Sequence, residues 1–161
     1  MPSKVTFLSL VSILLISGSA FGQTREELVE LRDMRASLLR TEDQIVVLES
    51  ALTLYDVHQN DLPQFRVNLL FNAIGFGQQS KVRGELARQT QKQIFAMLDN
   101  NTFQIAKFED QLVALKMKQQ DERGQNAALR SAAGIELDQH LDAKLWEMGI
   151  PRYSRPIDQP Q

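Results

Sequence analysis

The apolar residues of the region 24–55 fall into two columns with sevenfold spacing. One column holds Leu31, Leu38, Ile45 and Leu52, and the other holds Met34, Thr41, Leu48 and Tyr55. This spacing is typical of a helix that buries a single apolar face. It predicts a helix from about Thr24 to Tyr55, about 48 Å long at 1.5 Å per residue, which must pack on a further helix.

Both ends of this helix carry local signals. Glu27 follows Thr24 by three residues, so the Thr24 hydroxyl can accept from the Glu27 amide while the Glu27 carboxylate reaches back, as in a capping box. The run from Asn60 to Pro63 breaks the pattern, because Pro63 cannot extend a helix from behind and restricts Leu62.

The segment 65–77 is apolar on nearly all sides and contains two glycines near its end. We predict a short helix from about Pro63 to Ala73 and a flexible turn over 75–77. With its flanks, residues 62–79, this segment is expected to form a small apolar appendage. Two placements stay open: the appendage is offered to a partner or a membrane, or it folds back as a lid over the bundle.

The sevenfold spacing returns after Ser80, with the columns Leu98, Ile105, Leu112 and Asn101, Phe108, Leu115. We favour one continuous helix through this region. The polar run 99–102 would otherwise suggest a turn, and a break at Asn100 would convert a helical hairpin into a three-helix bundle. Beyond Met117 the columns weaken, because Gln119, Glu122 and Asn126 take the apolar positions.

A second apolar stretch, rich in alanine, runs from Ala127 to Leu145, and Gly134 is the point where it could bend. The sequence 148–151 places Gly149 at a left-handed cap before an apolar residue and a proline, which predicts the end of the last helix. Residues 151–161 are predicted to be a disordered tail. Trp146 is expected to pack on the bundle, with partner recognition as the alternative.

Residues 1–22 have the pattern of a cleavable signal peptide. Lys4 precedes an apolar run over 5–16, and a run of small residues leads to Gly22. The run is shorter than the roughly 20 apolar residues of a spanning helix, so cleavage is preferred to an uncleaved anchor. The predicted destination is the periplasm or the extracellular space, and the predicted domain is a single helical bundle over 23–150.

Composition excludes several classes of protein. The chain has no cysteine, which excludes disulfides, a thiolate zinc site and a lipoprotein anchor. Its 18 basic and 20 acidic residues are mixed along the chain and give a formal charge of −2. There is no basic footprint for nucleic acid, so nucleic-acid binding is not expected.

Candidate chemistry is sparse. The two histidines, His58 and His140, are far apart in sequence and have no second histidine at ligand spacing. No phosphate loop or nucleophile elbow is present. We therefore expect that the protein is not an enzyme and that it has no metal site and no cofactor. The candidate residues for binding a protein partner come from the appendage: Leu69, Leu70, Phe71, Ile74 and Phe76.

The arrangement resembles the pilus-tip minor subunits of bacterial type IV secretion and conjugation systems. The matching pieces are the leader to Gly22, the seam Leu31–Tyr55, the apolar insert Phe65–Gly77 and the helix that holds Leu98–Leu115. The resemblance implies a component of such an apparatus that contacts proteins of the cell envelope. The alternatives are a periplasmic holdase-type chaperone and an envelope coiled-coil scaffold. Self-association and membrane contact are compatible with all three but not required.

Overall fold

The computed structural model describes residues 23–152, and within this range the chain forms helices and no strand. The helices are α1 (Arg25–His58), α2 (Leu62–Gln79), α3 (Lys81–Asp99), α4 (Ile105–Ala133) and α5 (Asp138–Glu147). The predicted all-α bundle is therefore confirmed. The predicted leader, 1–22, and residues 153–161 of the predicted tail, 151–161, lie outside the described residues.

Helix α1 is the centre of the bundle, since it contacts each of the other four described helices. The capping box forms as predicted: the Thr24 hydroxyl accepts from the Glu27 amide at 3.2 Å, and the Thr24 amide donates to the Glu27 carboxylate at 2.9 Å. The helix ends three residues beyond the predicted Tyr55. Of the two predicted columns, Leu31, Thr41, Ile45 and Leu48 are buried and the remaining members are half-buried.

The two halves of α1 have different neighbours. Residues 42–58 pack beside α2, α3 and the first part of α4, and we call this region, residues 42–117, the four-helix end. Residues 25–41 pack against the second part of α4 and against α5, and we call this region, with residues 118–150, the stalk. Ion pairs from Lys116 to Glu49, at 2.7 Å, and from Arg123 to Glu42, at 3.0 Å, show that α4 runs antiparallel to α1.

Aromatic side chains dominate the core of the four-helix end. Phe65 of α2 meets Tyr55 of α1 edge-on, with ring centroids 5.4 Å apart. Phe103, in the loop after α3, lies 4.9 Å from Tyr55 and 6.0 Å from Phe108 of α4, measured between ring centroids. Because these rings come from three helices and a loop, they fix the four-helix end as one packed unit.

The predicted end of α2 at Ala73, with a flexible turn over 75–77, is wrong. The helix continues to Gln79. The physical reason is close packing with α3, because a Cβ atom on Gly84 would lie only 2.4 Å from the Cα of Gly77. Gly84 must be a glycine for two antiparallel helices to approach so closely, and Gly77 lies at this helix contact and not in a turn.

A single residue, Ser80, reverses the chain between α2 and α3. Its backbone is extended (φ −154°, ψ 126°), and its amide donates to the carbonyl of Phe76 at 2.8 Å. Its hydroxyl accepts from the amide of Arg83 at 3.3 Å and so caps α3. One residue therefore serves both helix ends, through its backbone amide at the end of α2 and its side chain at the start of α3.

The favoured prediction of one continuous helix from Ser80 onward is also wrong, and the alternative of a break at Asn100 is confirmed. Helix α3 stops at Asp99 and α4 starts at Ile105. Asn101 is exposed and adopts the left-handed backbone conformation, with φ 51°. Asparagine tolerates that region better than most residues, which explains why the chain turns here.

The end of the stalk is built from two similar helix endings. Gly134 (φ 61°) ends α4, and Gly149 (φ 64°) follows α5 as predicted. The next residue in each case donates its amide back into the helix: Ile135 to Arg130 at 2.9 Å and Ile150 to Leu145 at 2.8 Å. Both isoleucines are buried in one cluster with Leu28, Leu31, Leu141 and Leu145. Gly134 therefore terminates a helix and does not merely bend one.

Candidate partner-binding surface

One face of α2 carries a strip of exposed apolar side chains. Val67, Leu70, Phe71 and Ile74 are 42%, 44%, 67% and 56% exposed. Their spacing of i, i+3, i+4 and i+7 brings them together along one side of the helix. We call these four residues the α2 stripe. A continuous apolar surface of this kind is typical of a binding site, whereas single exposed apolar residues are common on any protein.

The opposite face of α2 explains why the stripe is held firmly. Phe65, Leu69 and Ala73 are buried against α1, each at 4% exposure or less. The helix is thus apolar on two opposite sides, and the bundle covers only one of them. Its N-terminus is fixed by Asp61, which accepts from the Gln64 amide at 3.1 Å.

The five predicted partner-binding residues divide between these two faces. Leu70, Phe71 and Ile74 belong to the α2 stripe. Leu69 lies in the core of the four-helix end, and Phe76 is half-buried beside the small cluster of α1, α2 and α3. The segment is therefore partly offered to solvent and partly a cover for the core. Partner binding itself stays a prediction.

Sequence reasoning missed Val67 as a member of the stripe. The residue lies four before Phe71 and seven before Ile74, which is the spacing of one helix face. A helix drawn through the whole of 62–79 would have found it. Because a turn was predicted over 75–77, the helical spacing of Val67, Phe71 and Ile74 was not recognised.

A groove runs beside the stripe, between α2 and α3. Its volume is about 270 Å³, and it is lined by Leu70, Ala73, Ile74, Gly77, Arg88 and Gln91. Gly77 lines the groove without contributing a side chain. A Cβ added there would meet the Cα of Gly84 at 4.0 Å, an ordinary contact, so packing does not require this glycine as it requires Gly84.

The surroundings of the groove are more basic than the rest of the chain. Residues 62–79 contain no Asp or Glu, and residues 62–99 contain five basic and two acidic side chains. Arg66 donates to Asp99 at 2.7 Å and lies over the ring of Phe95, 5.2 Å from its centre. Arg88 donates to the carbonyl of Gly84 at 3.1 Å.

Arg88 forms only a weak ion pair with Glu85. Its guanidinium lies 4.0 Å from the carboxylate of Glu85, and both side chains are more than half exposed. An exposed pair at this distance contributes little, so Arg88 retains most of its ability to attract an incoming carboxylate.

The prediction that Trp146 packs on the bundle is wrong, since this side chain is 80% exposed. Leu141 and Leu145 occupy the buried face of α5, and Trp146 follows one position further around the helix. Cavities of about 400 and 410 Å³ lie on either side of it, both lined by Arg152, the last described residue.

The histidines lie at opposite ends of the molecule. His58 is at the end of α1, where its Nε2 is 2.6 Å from the side-chain nitrogen of Asn68, and His140 is exposed on α5 in the stalk. Among residues 23–152 no three His, Asp or Glu side chains are grouped so that they could hold a metal ion. In the same range, no helix has both the length and the apolar composition of a membrane-spanning segment.

The chain has no match among protein-family models, curated proteins or solved structures. The interpretation of the α2 stripe and its groove therefore depends on the geometry and chemistry of the residues themselves.

Proposed function

We propose that this is an exported helical protein that acts by binding another protein through the α2 stripe. In this proposal it is a component of a type IV secretion or conjugation apparatus, comparable to a minor pilus subunit. The observation that carries the proposal is the stripe: four apolar side chains in one line on a well-packed helix, on the side that the bundle leaves uncovered.

The energetics favour a partner for this surface. Full burial of a Val, Leu, Ile or Phe side chain contributes about 1.5–3 kcal/mol, and the stripe residues are already about half covered. Docking would therefore contribute roughly 1 kcal/mol for each stripe residue. Because α2 is fixed on its other side, little conformational entropy is lost when a partner binds.

The order of the parts supports an envelope apparatus. A leader of the secretory type is followed by a long helix, then by the apolar segment that forms α2, and then by further long helices. The pilus-tip minor subunits that this chain resembles have the same order of parts. The stalk would hold the four-helix end at a distance from any site of attachment.

Photo-crosslinking in living cells tests this function. A photoreactive amino acid replaces Phe71, the most exposed member of the stripe, and the captured proteins are identified by mass spectrometry. The matched control carries the same group at Thr53, an exposed polar position of α1.

Capture of one or two envelope or pilus proteins from position 71, and not from position 53, is the expected result. A broad range of unfolded exported proteins would instead indicate a holdase. Capture of this protein alone would make the stripe a surface for self-association, as a scaffold requires.

A further inference from the structure

We infer that the partner of the α2 stripe is an acidic amphipathic α-helix, which inserts one bulky apolar side chain into the groove between α2 and α3. This inference rests on the proposed function and specifies the chemistry of the partner. It follows from the shape of the groove and from the charge around it.

The shape of the groove suits a single side chain from a helix. The walls are Leu70 and Ile74 on one side and Arg88 and Gln91 on the other. At about 270 Å³ the groove is smaller than the roughly 300–1,000 Å³ of a small-molecule site. A helix laid along the stripe places apolar residues at i, i+3, i+4 and i+7, so one of them lies over the groove while others contact Val67 and Phe71.

The charge around the groove indicates which residues should flank the apolar positions of the partner helix. No carboxylate occurs in α2, and the carboxylate on α3 nearest the groove, that of Glu85, is 4.0 Å from Arg88. Lys92 is exposed and follows Arg88 by one helical turn, so the two cations share a face of α3. A partner helix with Glu or Asp beside its apolar residues matches these cations, and one with Lys or Arg meets repulsion.

An anionic lipid surface shares the charge preference but not the shape. Lipid chains would cover the stripe without a need for a groove of fixed size, and a membrane-bound helix is usually rich in Lys or Arg along its polar face. The polar neighbours of the stripe on α2 are mostly uncharged: Gln64, Asn68 and Gln78. The groove therefore favours a protein helix.

The test uses the purified protein and two synthetic helical peptides of about 20 residues, long enough to be partly helical in water. Both carry the same Leu and Phe anchors at i, i+3, i+4 and i+7. One has Glu and the other Lys at the flanking positions. Fluorescence anisotropy of the labelled peptides should show the Glu peptide binding about tenfold or more tightly than the Lys peptide at low salt. The difference should shrink as salt screens the charges.

Two variants test the groove and the charges separately. Gly77→Leu fills the groove and should weaken binding of the Glu peptide at least about tenfold. Its matched control is Gly124→Leu in the stalk, where an added Cβ meets nothing within 4 Å, and this variant should bind normally. The double variant Arg88→Glu with Lys92→Glu leaves the groove open and should reverse the preference toward the Lys peptide. Circular dichroism confirms that each variant is folded.

Equal binding of the two peptides, or no binding of either, would overturn the inference. So would tight binding to phosphatidylglycerol vesicles that Gly77→Leu leaves unchanged. In each of these cases capture of an envelope protein from position 71 could still succeed, so the proposed function would stand while the chemistry assigned to its partner would not.

Discussion

The four-helix end and the stalk both contain parts of α1 and α4, but they bury the apolar side chains of these helices in different ways. In the four-helix end, α1 is surrounded by three neighbours, and aromatic rings from Tyr55, Phe65, Phe103 and Phe108 fill the space between them. Among the described helices, α1 packs in the stalk against α4 and, at the end of the stalk, against α5 as well. Two helices cannot enclose a large core, so the middle of the stalk depends on polar contacts.

Some of the buried polar groups in the stalk have no hydrogen-bond partner among the described residues. Glu122 and Asn126 are buried at positions where the sevenfold pattern calls for apolar residues, and Glu122 accepts from the Ser37 hydroxyl. The buried side-chain atoms without a hydrogen-bond partner among residues 23–152 belong to Thr41, Glu122, Asn126 and Arg130. Each such atom costs about 1–3 kcal/mol. We therefore expect the stalk to be the weaker region, whereas the surface proposed to bind lies on the four-helix end.

The largest expected effect comes from a mutation that destabilises the stalk and leaves the four-helix end folded. Leu141→Ala removes a fully buried side chain from the stalk-end cluster and should lower the free energy of opening the stalk by about 3 kcal/mol. Native-state hydrogen exchange should then show faster exchange in residues 25–37 and 122–145, with α2 and α3 still protected.

The control for this separation is Phe65→Ala in the four-helix core. It should speed exchange in every helix, because loss of the stronger region unfolds the whole molecule. If Leu141→Ala also exposed α2 and α3, the molecule would be one cooperative unit and the comparison would fail.

A somewhat smaller effect is expected for the α2–α3 contact. In Gly84→Ala the new Cβ would lie 2.4 Å from the Cα of Gly77, and backbone cannot yield as the end of a side chain can. We expect a net loss of about 2 kcal/mol in the free energy of unfolding, measured with urea, despite the better helix propensity of alanine.

Gly124→Ala is the matched control, since an added Cβ there meets nothing within 4 Å. It should stabilise the protein by up to about 1 kcal/mol. Equal stability of the two variants would mean that α2 and α3 can move apart freely.

Replacing a buried polar residue in the stalk by an apolar one should increase the stability of the protein. Asn126→Leu removes a buried amide nitrogen that has no hydrogen-bond partner among the described residues and adds apolar area between α1 and α4. We expect stabilisation by about 1 kcal/mol, seen as a higher thermal midpoint. A lower midpoint would show that Asn126 makes a contact that the stalk requires, such as a bridging water.

The smallest effect on stability belongs to the stripe. Phe71→Asp changes a side chain that is 67% exposed and should alter the free energy of unfolding by no more than about 0.5 kcal/mol. It should abolish crosslinking of the proposed partner to a photoreactive group placed at position 74, another exposed position of the stripe. Phe76→Asp is the contrast, because Phe76 packs beside Val47 and Ala87 and its replacement should destabilise the fold. If Phe71→Asp also collapsed the helical circular dichroism signal, the stripe would be part of the core.

Local signals in the sequence predicted the ends of the chain's first and last described helices. Thr24 with Glu27, and Gly149 before a buried isoleucine, each satisfy backbone groups through neighbours within a few residues. Such signals act over short distances and can be interpreted without knowledge of the fold. The sevenfold columns likewise identified α1, because one of its faces is buried along most of its length.

The errors arose where contacts between helices decide the structure. The sequence pattern predicts a turn at Gly77, but this residue packs against Gly84, and the sequence alone does not reveal that the two residues meet. The apolar columns continued through Asn101 because α3 and α4 bury their apolar faces, with Leu98 and Phe108, in the same core. Only the polar run 99–102 marked the reversal. For the candidate site, the sequence identified the segment but not which of its residues face solvent.

The connection through Ser80 has a consequence for the order of folding. The ion pair between α2 and α3 spans 33 residues, whereas that between Arg123 and Glu42 spans 81. Closing the shorter loop costs less chain entropy, and contacts near in sequence form faster than distant ones. The hairpin that carries the stripe is therefore expected to assemble before α4 returns along α1. A newly synthesised chain would therefore form the surface proposed to bind a partner while the stalk was still unformed.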